Sequence, residues 1–329
     1  MDPVNGRVAI VTLGCKTNQF ESAAIQEQLT AAGYAVVDFD AGADLVIVNT
    51  CTVTAATDAQ SRNLIRRARR LNPAARVVVT GCYAQIDPQS LRRIPGVSLV
   101  VGNEEKKQLL ALLRTAAADG GTAVVRVADI RSVATSDPLE IQTFSQRSRA
   151  FVQIQNGCDA FCSYCIIPYA RGTSRSVPVD QVVAQLLQLQ DAGYREIVLT
   201  GIHIGGYGRD LHPATDLLGL LRTIADSPFD GRLRLGSIEP TELPAALCDY
   251  ILAADWICPH LHIPLQAGDD EILRRMNRHY DTAMFADLLA QLQQRNPAAA
   301  IGLDVICGFP GESDAHFAAT LALLQRLPF

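Results

Sequence analysis

Three cysteines lie within eight residues in a glycine-containing loop that follows an apolar run. Cys158, Cys162 and Cys165 have the spacing C-x3-C-x2-C. Three thiolates can bind three irons of a [4Fe–4S] cube and leave the fourth iron open, whereas electron-transfer clusters usually take four thiolates. The spacing therefore predicts a cluster that binds a further ligand at its open iron, which makes it a reaction centre.

Two other interpretations of this loop are weaker. A tetrahedral zinc site needs a second pair of ligands at a suitable spacing. Only His203, His260 and His262 could supply that pair, from far along the chain. Packing alone rarely gathers three thiols in one loop. We therefore favour the iron–sulfur cluster.

Three further cysteines lie far apart in the sequence but share one structural context. Cys15, Cys51 and Cys82 each follow the carboxyl end of a hydrophobic strand. In an open parallel sheet these ends line one crevice, where ligands bind. Free cysteines are often buried as small hydrophobic side chains, but three at equivalent strand ends indicate a second three-thiolate cluster. The other cysteines are interpreted as core or loop thiols: Cys248, Cys258 and Cys307.

The composition indicates a well-packed protein without a membrane segment. Of 329 residues, 48% are hydrophobic and 19% are charged. There is no run of about 18 apolar residues and no signal-peptide pattern at the start. Nine cysteines without secretory context predict a reducing cytoplasm, where thiols serve metals or catalysis. The net charge of −5 excludes a uniformly basic surface, so RNA contacts must be local or come from a part outside this sequence.

Alternating β-rich and helical segments predict an α/β fold with two domains. In the first, βαβ units predict an open parallel sheet. In the second, a right-handed βα series predicts an incomplete (β/α) barrel. The predicted division is an N-terminal domain over 1–120, a linker over 121–145 and a second domain over 146–329.

The predicted elements follow from hydrophobic patterns and helix caps. Thr17 is expected to cap a helix that ends near Ala32, and Asn103 a helix that ends near Ala118. A third helix is expected over 58–71. The predicted strands are Arg7–Leu13, Tyr34–Phe39, Asp44–Val48, Arg76–Thr80, Ala150–Gln155, Glu196–Thr200, Arg232–Ile238, His260–Pro264 and Ala300–Ile306, with a short β-like run at Ala123–Val127 in the linker.

The residues around the cysteines resemble the radical S-adenosylmethionine (SAM) methylthiotransferases along the whole chain. The string GCKTNQFE at 14–21 is similar to the GCKxNQ(Y/F)E of the MtaB type, rather than to the GCQMN or GCPKN of the other two types. Further similar strings cover 49–54, 81–85, 162–172, 199–203 and 302–306. The second domain is thus expected to be a partial radical SAM barrel.

The resemblance implies a transferase that inserts a methylthio group at C2 of N6-threonylcarbamoyladenosine at position 37 of tRNA, next to the anticodon. It implies two [4Fe–4S] clusters: an auxiliary cluster on the strand-end cysteines and a radical SAM cluster on the C-x3-C-x2-C loop. One SAM would donate its methyl group to a sulfur at the auxiliary cluster, and another would yield the radical that removes the C2 hydrogen. The implied partners are the tRNA anticodon loop and an electron donor such as flavodoxin or ferredoxin.

The resemblance also implies SAM contacts, which we assign by position. They are Tyr164, Thr200, Gly201, Ser237, Glu239, Gln266 and Ile306. Ser237 and Gln266 could instead serve ordinary loop capping. His203 and His262 receive no catalytic role, because hydrogen abstraction by a radical needs no histidine base. No catalytic residue is assigned beyond the cluster ligands.

Five arginines crowd the helix after Cys51: Arg62, Arg66, Arg67, Arg69 and Arg70. All but Arg67 share one broad face of the helix by their i, i+3 and i+4 spacing. Such a run is commonly a solvated face. Next to a crevice that must admit an anticodon loop, it can also contact phosphates. We assign RNA binding to Arg66 and Arg70 as a hypothesis.

The sequence departs from the family chiefly at its end. Family members continue into a sixth barrel strand and a β-rich TRAM domain that helps to bind tRNA, whereas this sequence stops at Phe329. Ala267 and Gly236 stand where the family often has serine. Two alternatives therefore stay open. The substrate could be isopentenyl-adenosine tRNA or a ribosomal protein, against which GCKTNQ argues, or the chain could be a two-cluster module without turnover.

Overall fold

The computed structural model describes residues 6–115, 123–136, 139–144 and 148–329. The chain forms two compact units. The first contains the described residues up to Phe144, together with Gly157–Asp159 and Ile166–Thr173. The second contains residues 148–156, Ala160–Cys165 and Ser174–Phe329. The loop of the C-x3-C-x2-C cysteines is therefore divided between the units.

A parallel six-stranded sheet forms the centre of the first unit. Its strands are β1 (Arg7–Thr12), β2 (Ala35–Val36), β3 (Leu45–Thr50), β4 (Arg76–Gly81), β5 (Val97–Val101) and β6 (Val124–Arg126). They lie side by side in the order β2-β1-β3-β4-β5-β6. Every residue of β3 is buried, as expected for a central strand of a parallel sheet that is covered on both faces.

The described residues of the first unit also form six α-helices. They are α1 (Lys16–Ala31), α2 (Ala55–Leu71), α3 (Cys82–Ile86), α4 (Pro88–Arg92), α5 (Leu109–Thr115) and α6 (Ile167–Arg171). The α2 helix begins after Thr54, whose hydroxyl accepts a hydrogen bond from the backbone N–H of Thr57 at 3.2 Å. Its apolar side places Ile65 and Ala68 in the same core as the inner valines of β3 and β4.

A series of parallel strands also organises the second unit. Its strands are β7 (Ala150–Gln153), β8 (Gln155–Asn156), β9 (Arg175–Ser176), β10 (Glu196–Thr200), β11 (Arg232–Leu235), β12 (His260–His262) and β13 (Ala300–Gly302). One parallel sheet has the order β11-β10-β7, and β12 pairs with β13 in parallel, whereas β8 and β9 form a separate antiparallel pair. Parallel bridges from Leu233 to Ile257 and from Ser237 to His262 continue the series from β11 towards β12.

Six helices alternate with these strands. They are α7 (Val179–Asp191), α8 (Leu217–Ala225), α9 (Ala245–Ala253), α10 (Asp270–Arg275), α11 (Thr282–Arg295) and α12 (Asp314–Leu324). Apolar residues at helical spacing bury one face of α8, as Leu217, Leu221 and Ile224 show. Within the described ranges, no helix combines the length and apolar character needed to cross a membrane.

The structure confirms the predicted α/β class and differs in local detail. The run Val97–Val101, which the sequence analysis missed, forms a strand. Val124–Arg126, assigned to the linker, joins the first sheet. Asn103 does not cap a helix, because its buried side chain bonds to distant groups, and α5 starts only at Leu109. The predicted end of that helix, at 116–118, lies outside the described residues.

Candidate metal centres

Cys15, Cys51 and Cys82 lie at one edge of the six-stranded sheet. Cys15 is the N-cap residue of α1 after β1, not Thr17 as predicted, and Cys51 follows β3. Thr50 pairs with Gly81 in the parallel register of β3 and β4, so the next residues, Cys51 and Cys82, leave the sheet at the same level. Cys51 and Cys82 are buried, whereas Cys15 is exposed.

The backbone before Cys15 passes close to Cys51. Gly14 has a φ of +93°, and a Cβ placed there would lie 2.7 Å from Cβ and 2.8 Å from Sγ of Cys51. Only glycine combines this backbone conformation with the absence of a side chain that would collide. The turn therefore holds the loop of Cys15 against the thiol of Cys51.

The other two cysteines influence the ionisation of Cys51. Burial raises the pKa of Cys51, the backbone N–H of Val53 lowers it, and negative charge on Cys82 and Cys15 raises it again. Cations bound between thiolates remove this repulsion. Among the described residues, no group of three or more His, Cys, Asp or Glu side chains is placed to hold a single metal ion. A four-iron cube spaces its thiolates more widely than one ion does, so the all-sulfur donor set fits a cluster.

Buried polar side chains tie the three strand ends together. Asn18 donates hydrogen bonds to the carbonyl groups of Leu13 at 2.7 Å and Thr50 at 3.0 Å. Asn49 donates to the carbonyl of Asn18 at 3.0 Å. The hydroxyl of Thr50 donates to the carbonyl of Thr80 at 2.6 Å. Because buried polar groups are costly to leave unpaired, this network fixes the backbone from which the cysteines project.

A buried ionic network lies beside these cysteines. Arg171 donates from Nη1 to Oε1 of Glu21 at 2.8 Å and from Nη2 to Oε2 at 3.2 Å. Its Nη2 also donates to Oδ1 of Asn18 at 2.5 Å. The Nζ of Lys106 lies 2.5 Å from Oε2 of Glu21 and donates to Oδ1 of Asn103 at 2.8 Å. All five side chains are buried.

Electrostatic interactions extend from this network to Cys82. Burial raises the pKa of Glu21, but Arg171 and Lys106 outweigh it and lower that pKa to about 2. Burial lowers the pKa of Lys106, against the raising effect of Glu21 and Cys82. The Nδ2 of Asn103 lies 4.0 Å from Sγ of Cys82. The sequence analysis missed the network, because charged residues are ordinarily at the surface; the only signal was that Glu21 and Arg171 lie in its motif strings.

The C-x3-C-x2-C loop is held by backbone hydrogen bonds in both of its parts. In the first unit, the N–H of Cys158 donates to the carbonyl of Gly172 at 3.0 Å. In the second unit, the N–H of Cys165 donates to the carbonyl of Cys162 at 2.9 Å, and that of Ser163 to a carbonyl after α10 at 3.1 Å. All three cysteines are partly exposed, so their thiols are accessible to a metal.

Arg278 is a further residue at this loop, which the sequence analysis did not identify. Its Nη1 donates to Sγ of Cys162 at 3.1 Å, and its Nη2 pairs with Glu239. The guanidinium lies 5.1 Å from the centroid of the Tyr280 ring. Arg278 thus links a proposed cluster ligand to Glu239. No spacing or motif in the sequence signals this contact, since Arg278 is 116 residues from Cys162.

Two of the residues predicted to contact SAM, Thr200 and Gly201, lie at the carboxyl end of β10. Thr200 is its last residue and is buried. At Gly201, a Cβ would lie 2.9 Å from the carbonyl oxygen of Gln155, and the side-chain oxygen of Gln155 accepts hydrogen bonds from the next two backbone N–H groups, at 3.0 and 2.8 Å. The strand end is therefore a tight turn that the side chain of Gln155 holds in place.

The other predicted SAM contacts lie at or beyond neighbouring strand ends. The hydroxyl of Ser237 lies 2.6 Å from Nδ1 of His262, so its partner is a side chain and not a loop backbone group. Gln266 has a φ of +66°, and its carbonyl accepts a hydrogen bond from the N–H of Ile306 at 2.8 Å. The carboxylate of Glu239 already pairs with Arg278. Burial raises the pKa of Tyr164.

The five arginines of α2 differ in what they contact. Three have structural partners: Arg62 donates to the Tyr83 hydroxyl at 2.9 Å, Arg67 to Asp40 at 2.6 Å and Arg69 to the Ala75 carbonyl at 3.2 Å. Arg66 and Arg70 are exposed. In the part of the chain that the structure describes, no hydrogen bond or ion pair joins either of these two side chains to another residue. Their charges are therefore available to a partner.

Comparisons with known proteins agree with this arrangement. Residues 7–102 match the "Uncharacterized protein family UPF0004", and residues 152–324 match the radical SAM superfamily. The threonylcarbamoyladenosine tRNA methylthiotransferase MtaB of Bacillus subtilis is 41% identical over 324 residues, which are 98% of this chain and 71% of that protein. The tRNA-2-methylthio-N(6)-dimethylallyladenosine synthase of Maricaulis maris is 33% identical over 342 residues, 100% of this chain and 75% of that protein.

A solved structure shows the same fold. The radical S-adenosylmethionine methyltransferase TsrM from Kitasatospora setae matches with a TM-score of 0.68 at 19% sequence identity, over 98% of this chain and 73% of that one. A parallel-sheet α/β domain followed by a partial radical SAM barrel thus defines a radical SAM enzyme. More particularly, the chain belongs to the radical SAM tRNA methylthiotransferases of the MtaB type. The predicted family, fold class and enzymatic character are confirmed.

Proposed function

We propose that this enzyme inserts a methylthio group at C2 of N6-threonylcarbamoyladenosine at position 37 of tRNA, with one SAM as methyl donor and a second as radical source. The observation that carries the proposal is the pair of cysteine sets, one at the edge of the six-stranded sheet and one in the C-x3-C-x2-C loop. The higher identity to the MtaB of Bacillus subtilis, 41% against 33% for the dimethylallyladenosine synthase, favours the threonylcarbamoyl substrate.

Each cysteine set would hold one [4Fe–4S] cluster. When bound, the radical SAM cluster would supply the electron that cleaves SAM, and the auxiliary cluster would present the sulfur. The chain contributes the ligands and their setting. Cys51 and Cys82 present their thiols from buried positions, and the hydrogen bond from Arg278 to Cys162 orients that side chain.

SAM would be bound by groups at the strand ends of the second unit. The proposed contacts are Tyr164, Thr200, Gly201, Ser237, Glu239, Gln266 and Ile306. The turn after β10 offers backbone groups to a small ligand. Glu239 would act through Arg278, with which it pairs. We retain the division into 1–120, 121–145 and 146–329 as a proposal for the domain boundaries.

The tRNA anticodon loop would contact Arg66 and Arg70, the two arginines of α2 whose charges remain available. A flavodoxin or ferredoxin would deliver the electron, and the cytoplasm, where free thiols persist, would be the location.

Mass spectrometry of tRNA nucleosides from a deletion strain tests the substrate. Loss of 2-methylthio-N6-threonylcarbamoyladenosine, with accumulation of the unmethylthiolated nucleoside, is the expected result. Loss of the methylthio derivative of isopentenyl-adenosine would instead support the alternative substrate. An unchanged nucleoside profile contradicts both. For the purified protein, formation of 5′-deoxyadenosine from SAM under reduction distinguishes an enzyme from a two-cluster module without turnover.

A further inference from the structure

We propose that Arg171 and Lys106 form a buried counter-charge for the auxiliary cluster, and that this charge sets the reduction potential of the cluster. The inference rests on the proposed function, which places an iron–sulfur cluster on Cys15, Cys51 and Cys82. The proposal assigns these two cations an electrostatic effect on the potential of the cluster and no contact with the substrate.

In the described part of the chain, most of the buried charged side chains lie in the network beside the strand-end cysteines. Among all described residues, five charged side chains are buried: Glu21, Lys106, Arg171, Arg175 and Arg278. Three of the five, Glu21, Lys106 and Arg171, form one network. It contains two cationic side chains and a single carboxylate, so its net charge is positive when all three are ionised. Lys106 and Arg171 therefore share the one carboxylate of Glu21.

Stability does not account for this excess of positive charge. Replacing buried ion pairs by apolar side chains of similar volume is often neutral or stabilising, because desolvating charges is costly. A second buried cation adds to that cost. After Glu21, the groups that raise the pKa of these cations are the proposed cluster ligands: Cys82 for Lys106, and Cys82 and Cys15 for Arg171.

The geometry connects the network to the thiols by short steps. Asn103 accepts a hydrogen bond from Lys106 at 2.8 Å, and its own Nδ2 lies 4.0 Å from Sγ of Cys82. On the other side, Asn18 binds Arg171 at 2.5 Å and also the backbone of Leu13, two residues before Cys15, at 2.7 Å. The charge is thus rigidly held beside the cluster ligands.

The consequence for a cluster follows from electrostatics. One-electron reduction adds a negative charge to the cluster. A nearby positive charge in a poorly solvated site stabilises the reduced form, so it raises the reduction potential. Removing a cation must lower the potential, and removing the carboxylate must raise it. A purely structural network would have no reason to produce shifts of opposite sign.

The test is a redox titration of the auxiliary cluster in the full chain, in a background in which Cys158, Cys162 and Cys165 are replaced by alanine. The midpoint potential is read from electron paramagnetic resonance during stepwise chemical reduction. We expect Lys106→Met to shift it to a lower value and Glu21→Gln to a higher one. Lys107→Met is the matched control, because Lys107 is the next residue and pairs with Glu104 at 2.5 Å in a partly exposed position.

The outcomes separate the inference from the function on which it rests. Opposite shifts, both larger than that of Lys107→Met, support the counter-charge. Shifts in the same direction, or no larger than the control, overturn it while leaving the cluster in place. If one variant fails to fold, the sign of the other decides. A background protein that binds no iron on the strand-end cysteines overturns the proposed function itself.

Discussion

The guanidinium of Arg171 and the carboxylate of Glu21 form a bidentate pair, with N–O distances of 2.8 and 3.2 Å, and neither side chain is more than 4% exposed. Glu21 lies in α1, directly after the loop of Cys15. Arg171 ends α6, the short helix that follows the C-x3-C-x2-C loop. The pair therefore anchors the segment Ile166–Thr173 to the sheet that carries the strand-end cysteines.

Breaking this pair should be costly. Arg171→Met leaves Glu21 with one cation in a buried site, and removing one partner of a buried ion pair costs on the order of 3 kcal/mol. Urea denaturation measures the free energy of unfolding. Arg195→Met is the control, because Arg195 pairs with Asp230 at 3.8 Å in an exposed position, where ion pairs contribute little. Equal losses in the two variants would contradict the structural role of Arg171.

The depressed pKa of Glu21 predicts an acid dependence of stability. The folded state lowers this pKa from 4.5 to about 2, so the stabilisation is fully present above pH 4.5 and is lost as the pH falls towards 2. Glu21→Gln removes the titrating group. The variant should be less stable at pH 7 but should lose less free energy of unfolding between pH 5 and pH 2 than the wild type. Parallel pH profiles would refute the assignment.

Gly14 should be required for the auxiliary cluster. In Gly14→Ala the new Cβ collides with Cys51 at 2.7 Å, which displaces a proposed ligand. Iron analysis after reconstitution should fall from about eight to about four irons per chain. Gly33→Ala is the control, because Gly33 has nearly the same φ, +92°, but nothing lies within 4 Å of its Cβ position. Loss of iron in both variants would show backbone strain, not the contact, to be the cause.

The free charges of α2 should contribute to tRNA binding. Arg66→Glu with Arg70→Glu should weaken tRNA affinity. The slope of the logarithm of the binding constant against log salt should fall in magnitude by about 1–2, because fewer phosphate contacts mean that fewer counterions are released on binding. Arg222→Glu with Arg232→Glu changes the net charge equally at two other exposed arginines. Filter binding over a series of salt concentrations gives both slopes. An unchanged slope in the α2 variant removes the hypothesis.

Local patterns predicted the strands that carry the cysteines, because β1, β3 and β4 are apolar runs followed by glycine or threonine and a cysteine. They did not predict contacts between distant residues. Asn103 resembled a helix cap, yet it donates to the carbonyl of Ala170, 67 positions away. No pattern indicated that Lys106 and Arg171 are buried against Glu21, since only the tertiary structure brings the three together. The five-residue strand Val97–Val101 was also missed.

The most direct test of the central claim is the nucleoside profile of strains with single cysteine replacements in the gene. With Cys15→Ala, mass spectrometry of tRNA digests should show N6-threonylcarbamoyladenosine without its 2-methylthio derivative, while the purified variant still cleaves SAM. Cys248→Ala, which replaces a buried cysteine outside both sets, should retain the derivative. Persistence of 2-methylthio-N6-threonylcarbamoyladenosine in the Cys15→Ala strain would contradict the account.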